Sequence, residues 1–125
     1  MGITNTGMAQ ASKLLRTDVT DSTPFNYIAI GTSATAFAAT QTALIAEQQR
    51  NDAVGTLTTT AVTNDTLTLT KDSFSFGGSY TIQEVGVLQT NSGSIMLCRT
   101  VITAVSVTAT DTLKVIVNIQ SKQGA

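Results

Sequence analysis

A chain of 125 residues is long enough to bury a core of its own, and with 12 % charged against 42 % hydrophobic residues it carries about half the usual share of charge. A net charge of −1 without a basic cluster excludes the electrostatic footprint that nucleic acid or an anionic membrane surface requires, so neither is an expected partner. Histidine and tryptophan are absent and Cys98 stands alone, which excludes a disulfide framework within the chain and a Cys/His zinc site, and leaves any thiolate nucleophile without a histidine base.

The opening MGITNTGMAQ has neither a basic n-region nor an apolar h-region, and no run approaches the ~18 apolar residues of a membrane span. The expectation is a soluble protein made without a signal peptide, with no cofactor. Threonine fills about one position in five, which favours β-structure. Residues 1–125 read as one domain, with an N-terminal segment over 1–16 and a sandwich core over 25–121.

In chain order, NTGMAQASKLLR (5–16) spaces Met8, Ala11, Leu14 and Leu15 as one face of a helix and places Lys13 and Arg16 at the end where the helix dipole favours cations. TDVTDSTP is a turn-rich break. FNYIAIG alternates Phe25, Tyr27 and Ala29 against Ile28 and Ile30, a strand closed by Gly31. The small residues of 32–50 predict a long loop, with ALIAEQQR forming one short helix. Alternation follows over 54–62 and again in TLTLT, where Leu67 and Leu69 point inward and the threonines outward. Phe74 and Phe76 fall on the opposite parity, so a bulge or bend is expected at Lys71–Asp72.

Gly77–Gly78 predicts a turn, YTIQEVGVLQ a strand, and TNSG (90–93) a hairpin loop. SIMLCRTVIT is apolar on both faces, as in the centre of a sheet, with Cys98 as a small core residue. DTLKVIVNIQ sends Leu113, Val115, Val117 and Ile119 one way and Lys114, Asn118 and Gln120 the other. Several short strands with one helix predict an all-β fold, an antiparallel β-sandwich with a short N-terminal helix.

Catalytic chemistry has little to draw on. Glu47 and Glu84 are the only glutamates available as a two-carboxylate glycosidase pair, and the aromatic residues that stack on sugar are few. The six aspartates are scattered rather than spaced as a calcium loop, and suit turns and caps. No enzymatic activity is expected. Glu84, inside an apolar strand, is costly unless paired, and only Arg16, Arg50 and Arg99 offer a two-pronged donor. A Glu84–Arg50 structural ion pair is expected, since it would pin the long loop to the sheet.

The ordered segments GITNTGMAQASKLL, FNYIAIGTSATAF, TALIAEQQR, TIQEVGVLQTNSGSIMLCRTVI and DTLKVIVNI together resemble a family of small tailed-bacteriophage virion proteins. Similar patterns occur near the start of some tail-collar and tail-fibre proteins. The resemblance covers nearly the whole chain, and places Glu47, Arg50, Glu84 and Gly86 on recurrent polar and glycine positions, none of them catalytic. Leu88–Gln89 departs from it, an aromatic residue being common there. The resemblance implies a virion structural role.

The leading expectation is a capsid decoration (cement) protein that is made in the host cytoplasm and binds the major capsid protein on the outer head surface, as a homo-oligomer, specifically a trimer. The alternatives are a tail, neck or baseplate component, and, from another class, a carbohydrate- or receptor-binding module. Ile3, Met8, Leu14 and Leu15 are the expected assembly contacts, because a terminal segment this apolar calls for cover from a neighbour.

Overall fold

The computed structural model of the chain describes residues 2–15 and 23–124. The elements in order are β1 (Gly2–Ile3), α1 (Asn5–Leu14), β2 (Tyr27–Gly31), β3 (Glu47–Asp52), β4 (Val54–Thr58), β5 (Thr66–Ser75), β6 (Tyr80–Leu88), β7 (Met96–Val107) and β8 (Thr112–Gln120). They form a five-stranded sheet of order β1-β7-β6-β2-β3 and a three-stranded sheet of order β4-β5-β8, with every pairing antiparallel. The fold is an all-β sandwich with one short N-terminal helix.

Alternation along the strands builds the core. Ile28 and Ile30 of β2, Val85 and Val87 of β6 and Cys98 of β7 cluster with Leu69 and Phe74 of β5 and Val117 of β8. Phe74 is fully buried, and burying a side chain of that kind is worth about 1.5–3 kcal/mol. Residues of the other parity on the five-stranded sheet are also covered. Ala29 and Leu88, with Met96, which shares the parity of Cys98 but is set on this side where the β6–β7 register shifts at Val87/Leu88, make a second, smaller cluster with Leu44 from the 32–46 segment. The middle of this sheet is therefore buried on both faces, which is why β2 and β6 read as nearly continuous apolar runs.

The parity break in the β5 region appears as a shift of β5–β8 register between Lys71 and Phe74. Leu69 is buried and Leu67 packs against the core, while most threonines of TLTLT are outside; Thr66 is the exception, being buried at the start of the strand.

Four expectations need correction. The helix expected in ALIAEQQR does not form: residues 47–52 are β3, an edge strand whose pairing with β2 overrides the helical propensity of Glu and Gln. The strand expected over 54–62 ends at Thr58 and gives way to a loop. SIMLCRTVIT is not central. The middle strand is β6, and β7 has on its far side only the two-residue β1, with both of its faces covered where Met96 and Cys98 lie. The fourth correction concerns the helix face.

Helix α1 starts at Thr4, whose side chain accepts from the Gly7 N–H (2.9 Å), as an N-cap does, and donates to the Met96 carbonyl. Its buried positions are Gly7 and Gln10, with Leu14 packed on the core, whereas Met8 and Leu15 are exposed. The expected Met8–Leu15 stripe is thus not the docking face. The reason is backbone proximity: a Cβ on Gly7 would lie 2.6 Å from both the Cα and the carbonyl oxygen of Leu97. Arg16 and the 17–22 part of the expected turn lie outside the described residues.

Gly7→Ala offers a test of this docking. Helix propensity alone would stabilise the variant by about 0.5–1 kcal/mol, but the added methyl meets main chain that cannot rotate away. A net loss of about 1–3 kcal/mol in chemical denaturation is expected, the range for overpacking.

Candidate functional site

The five-stranded sheet turns toward the 32–46 segment a patch with very little side chain on it. Gly31 of β2 stands beside Glu84 of β6, and Gly86 lies two residues further along. A Cβ on Gly31 would come 2.3 Å from Glu84 Oε1 and 2.5 Å from the Ala46 carbonyl oxygen; one on Gly86 would come 2.8 Å from Leu44 Cδ2. The two glycines let the segment lie flat on the sheet.

Glu84 holds it there. Its side chain is 0 % exposed, as is that of Arg99. Arg99 Nε donates to Glu84 Oε2 at 2.8 Å, the Ile45 N–H donates to Oε2 at 3.1 Å, and the Ala46 N–H donates to Oε1 at 2.7 Å. Arg99 Nη1 reaches Gln41 Oε1 at 3.5 Å, while Nη2 has no partner among the described residues. Gln83 Nε2 adds a bond to the Thr32 carbonyl at the start of the segment (3.2 Å).

The Glu84–Arg50 pair is therefore corrected to Glu84–Arg99. In the β6–β7 register, Glu84 is opposite Val101 and Gly86 opposite Arg99, so Glu84 and Arg99 are diagonal neighbours on adjacent strands. Arg50, on β3, is separated from β6 by β2. It makes a fork with Glu47 instead (Nη2–Oε1 2.8 Å, Nε–Oε2 3.2 Å). Its Nη1 donates to the carbonyls of Thr90 and Gly93 and so braces the β6–β7 hairpin loop. The long segment is pinned to the sheet as expected of Glu84, but by two backbone N–H groups rather than by Arg50.

Glu47 and Glu84 lie on strands either side of Gly31. Each is held by its own arginine, and Glu84 is sealed from solvent, so the arrangement is a brace rather than a pair of carboxylates facing a substrate. Of the aspartates expected in turns, Asp65 and Asp111 serve them, Asp52 and Asp72 lie instead on strands β3 and β5 facing Lys71 and Lys114, and Asp18 and Asp21 lie outside the described residues. Asp65 accepts from the N–H groups of Thr60, Ala61 and Val62 and from Gln120 Nε2, and Asp111 accepts from the Thr108 N–H. The hydrogen bond from Thr60, then that from Gln120, holds the Asp65 carboxyl well below the usual range. Burial pushes the Cys98 thiol up to about 11. Among the described residues no group of three or more His, Cys, Asp or Glu could hold a metal ion, and no helix is long and apolar enough to cross a membrane.

Of the expected assembly residues, Ile3, Met8 and Leu15 are exposed, Leu15 at 86 %, and Leu14 packs against the core. Sequence reasoning missed Gly31 and the N–H groups of Ile45 and Ala46. A glycine ending an apolar strand beside a buried acid was the available signal. In comparison with known proteins, no family model matches this chain, and neither a curated protein nor a solved structure gives a significant match.

Glu84→Gln is expected to cost roughly 3–5 kcal/mol, the range for breaking a buried pair. A double-mutant cycle distinguishes its partner: Glu84 and Arg99 should couple by about 0.5–3 kcal/mol, while Glu84 and Arg50 should add within about 0.5 kcal/mol.

Asp65 gives a pH-dependent prediction. Because its folded pKa is depressed, its contribution is full above the unfolded value of roughly 3.9 and is lost as pH falls through the folded value. The stability gap between the native chain and Asp65→Asn should hold steady from pH 7 to about 4 and shrink below that, as read by urea melts across the range.

Proposed function

We propose that this chain is a non-enzymatic structural protein of a tailed-phage virion, acting as a capsid decoration protein that binds the outer head surface and bridges neighbouring capsomers. The whole-chain resemblance to small phage virion proteins supports the virion reading. The structural observation that carries an assembly role is β4: all five of its residues are exposed, it has no charge and no proline, and Val54 and Leu57 are 68 % and 63 % exposed. Soluble monomers normally blunt such an edge with lysine, proline or a covering segment. Few charges elsewhere mean little desolvation cost when broad faces meet other protein.

The exposed apolar residues of the N-terminal segment, Ile3, Met8 and Leu15, supply a second contact surface on a segment already fastened to β7. A cement protein works through many equivalent contacts on a lattice, best made by an oligomer whose symmetry matches it. On this reading the chain acts as trimers at local three-fold positions. The alternative, a tail, neck or baseplate component, uses the same surfaces in far fewer copies.

Copy number separates the two. On a gel of purified virions this chain should approach one copy per major capsid protein, and purified protein should co-sediment with empty mature heads. A ratio far below one to one, with no binding to heads, would move the assignment to the tail. Met8→Glu with Leu15→Glu should weaken head binding while leaving the melting temperature nearly unchanged, because neither side chain is buried.

A further inference from the structure

The three-stranded sheet has two bare edges. Among the described residues β4 and β8 each pair only with β5. Both run antiparallel to β5, so they are parallel to one another. Side chains directly across a sheet share a face, and the register sorts them into rows: Val54–Thr70–Ile116, Thr56–Thr68–Asn118 and Leu57–Leu67–Ile119. The rows that begin at Val54 and Leu57 end at Ile116 and Ile119, those that begin at Thr56 and Thr58 end at Asn118 and Gln120, and the row that begins at Gly55 ends at Val117. Ile116 is 54 % exposed, comparable with Val54 and Leu57 on the opposite side.

The charges match in the same sense. Asp52, just ahead of β4, lies 3.7 Å from Lys71, and Lys114 of β8 lies 3.6 Å from Asp72. Lys71, Asp72 and Lys114 lie at the same end of the three-stranded sheet, and Asp52, the last residue of β3, reaches that end from the other sheet. The β4 edge of that end is acidic and the β8 edge is basic.

We infer that the occupant of each edge is a second copy of this chain, with β4 of one copy adding in parallel to the free edge of β8 of the next. With Val54 set beside Ile116, the same offset brings Thr56 beside Asn118 and Leu57 beside Ile119, and leaves Asp52, at the end of β3 two residues ahead of β4, on the side of Lys114. Every row continues across the boundary, and the acidic end of one edge lies toward the basic end of the other. The alternative of two β8 strands pairing antiparallel about a two-fold axis leaves Val54 and Leu57 bare and brings no opposite charge to Lys114. A contact between two different edges is head-to-tail, and it leaves no bare edge once the copies close into a ring. The inference rests on the reading of the chain as an assembly module and supplies that module's own contact.

The test uses the purified full-length chain without any phage particle. Thr56→Cys and Asn118→Cys are both at exposed positions, and strands paired at about 4.8 Å bring their Cα atoms within disulfide range. Co-expression of the two single variants, followed by mild oxidation, should give a covalent dimer containing one of each, while either variant alone gives none. Light scattering should show the native chain as one closed oligomer, and Ile116→Lys should reduce it to monomers that keep the native circular dichroism spectrum and melt at a lower temperature, since association stabilises the folded chain. Absence of the mixed disulfide overturns the proposal whatever the mass, and a dimer from Ile116→Cys alone would assign the edge to two-fold pairing. Head co-sedimentation is read separately, so a failed ring and a failed head assignment give different results.

Discussion

The protein depends on one fully buried carboxylate. Desolvating Glu84 costs several kcal/mol unless its oxygens are occupied, and here three donors occupy them: the Arg99 Nε and the N–H groups of Ile45 and Ala46. One is from the neighbouring strand and two are from the segment that covers the sheet. The strand pairing of β6 with β7 and the position of the 32–46 segment are thereby fixed by the same group. Gly31 and Gly86 are conditions of that arrangement, since a methyl at either would fill space that the carboxylate, the backbone or Leu44 now takes.

The asymmetry between the sheets follows. Covering the five-stranded sheet on both faces needs a lid, and the lid needs the ion pair. Among the described residues the three-stranded sheet has no such lid. Its outer side carries threonines and Asn118, tied across strands by Thr58–Thr68 and Thr68–Asn118 hydrogen bonds, and its edges are bare. The buried ion pair and its backbone donors thus belong to one sheet, and the unpaired strand edges described for β4 and β8 to the other.

Much of this was legible in the sequence. Period-two alternation located β5 and β8 and the start of β4, turn residues bounded β6, an apolar run marked β7, and the parity change between Leu69 and Phe74 located the irregularity in β5. The acid in TIQEVGV marked the central constraint. Its partner was not legible, because Arg50 and Arg99 are chemically equal and only the β6–β7 register puts Arg99 diagonal to Glu84. The helical reading of ALIAEQQR failed because local propensity carries no information about the edge of β2 waiting to be paired. The helix face failed for a related reason: apolar spacing favours Met8 and Leu15, whereas close approach to Leu97 selects the one residue without a side chain, Gly7.

The strand order also sets a timetable. β5 finds its second neighbour only in β8, some fifty positions later, as the Thr68–Asn118 pairing illustrates, and β7 receives β1 from the far end of the chain. A ribosome must release the chain through β7 before one sheet is complete and through β8 before the other is. Until then the hairpin of β4 and β5 stands with both sides open, and non-local pairings of this kind form slowly. The interval during which an emerging chain could join a neighbour too early is therefore written into its topology, and chains that share a polysome are the ones most exposed to it.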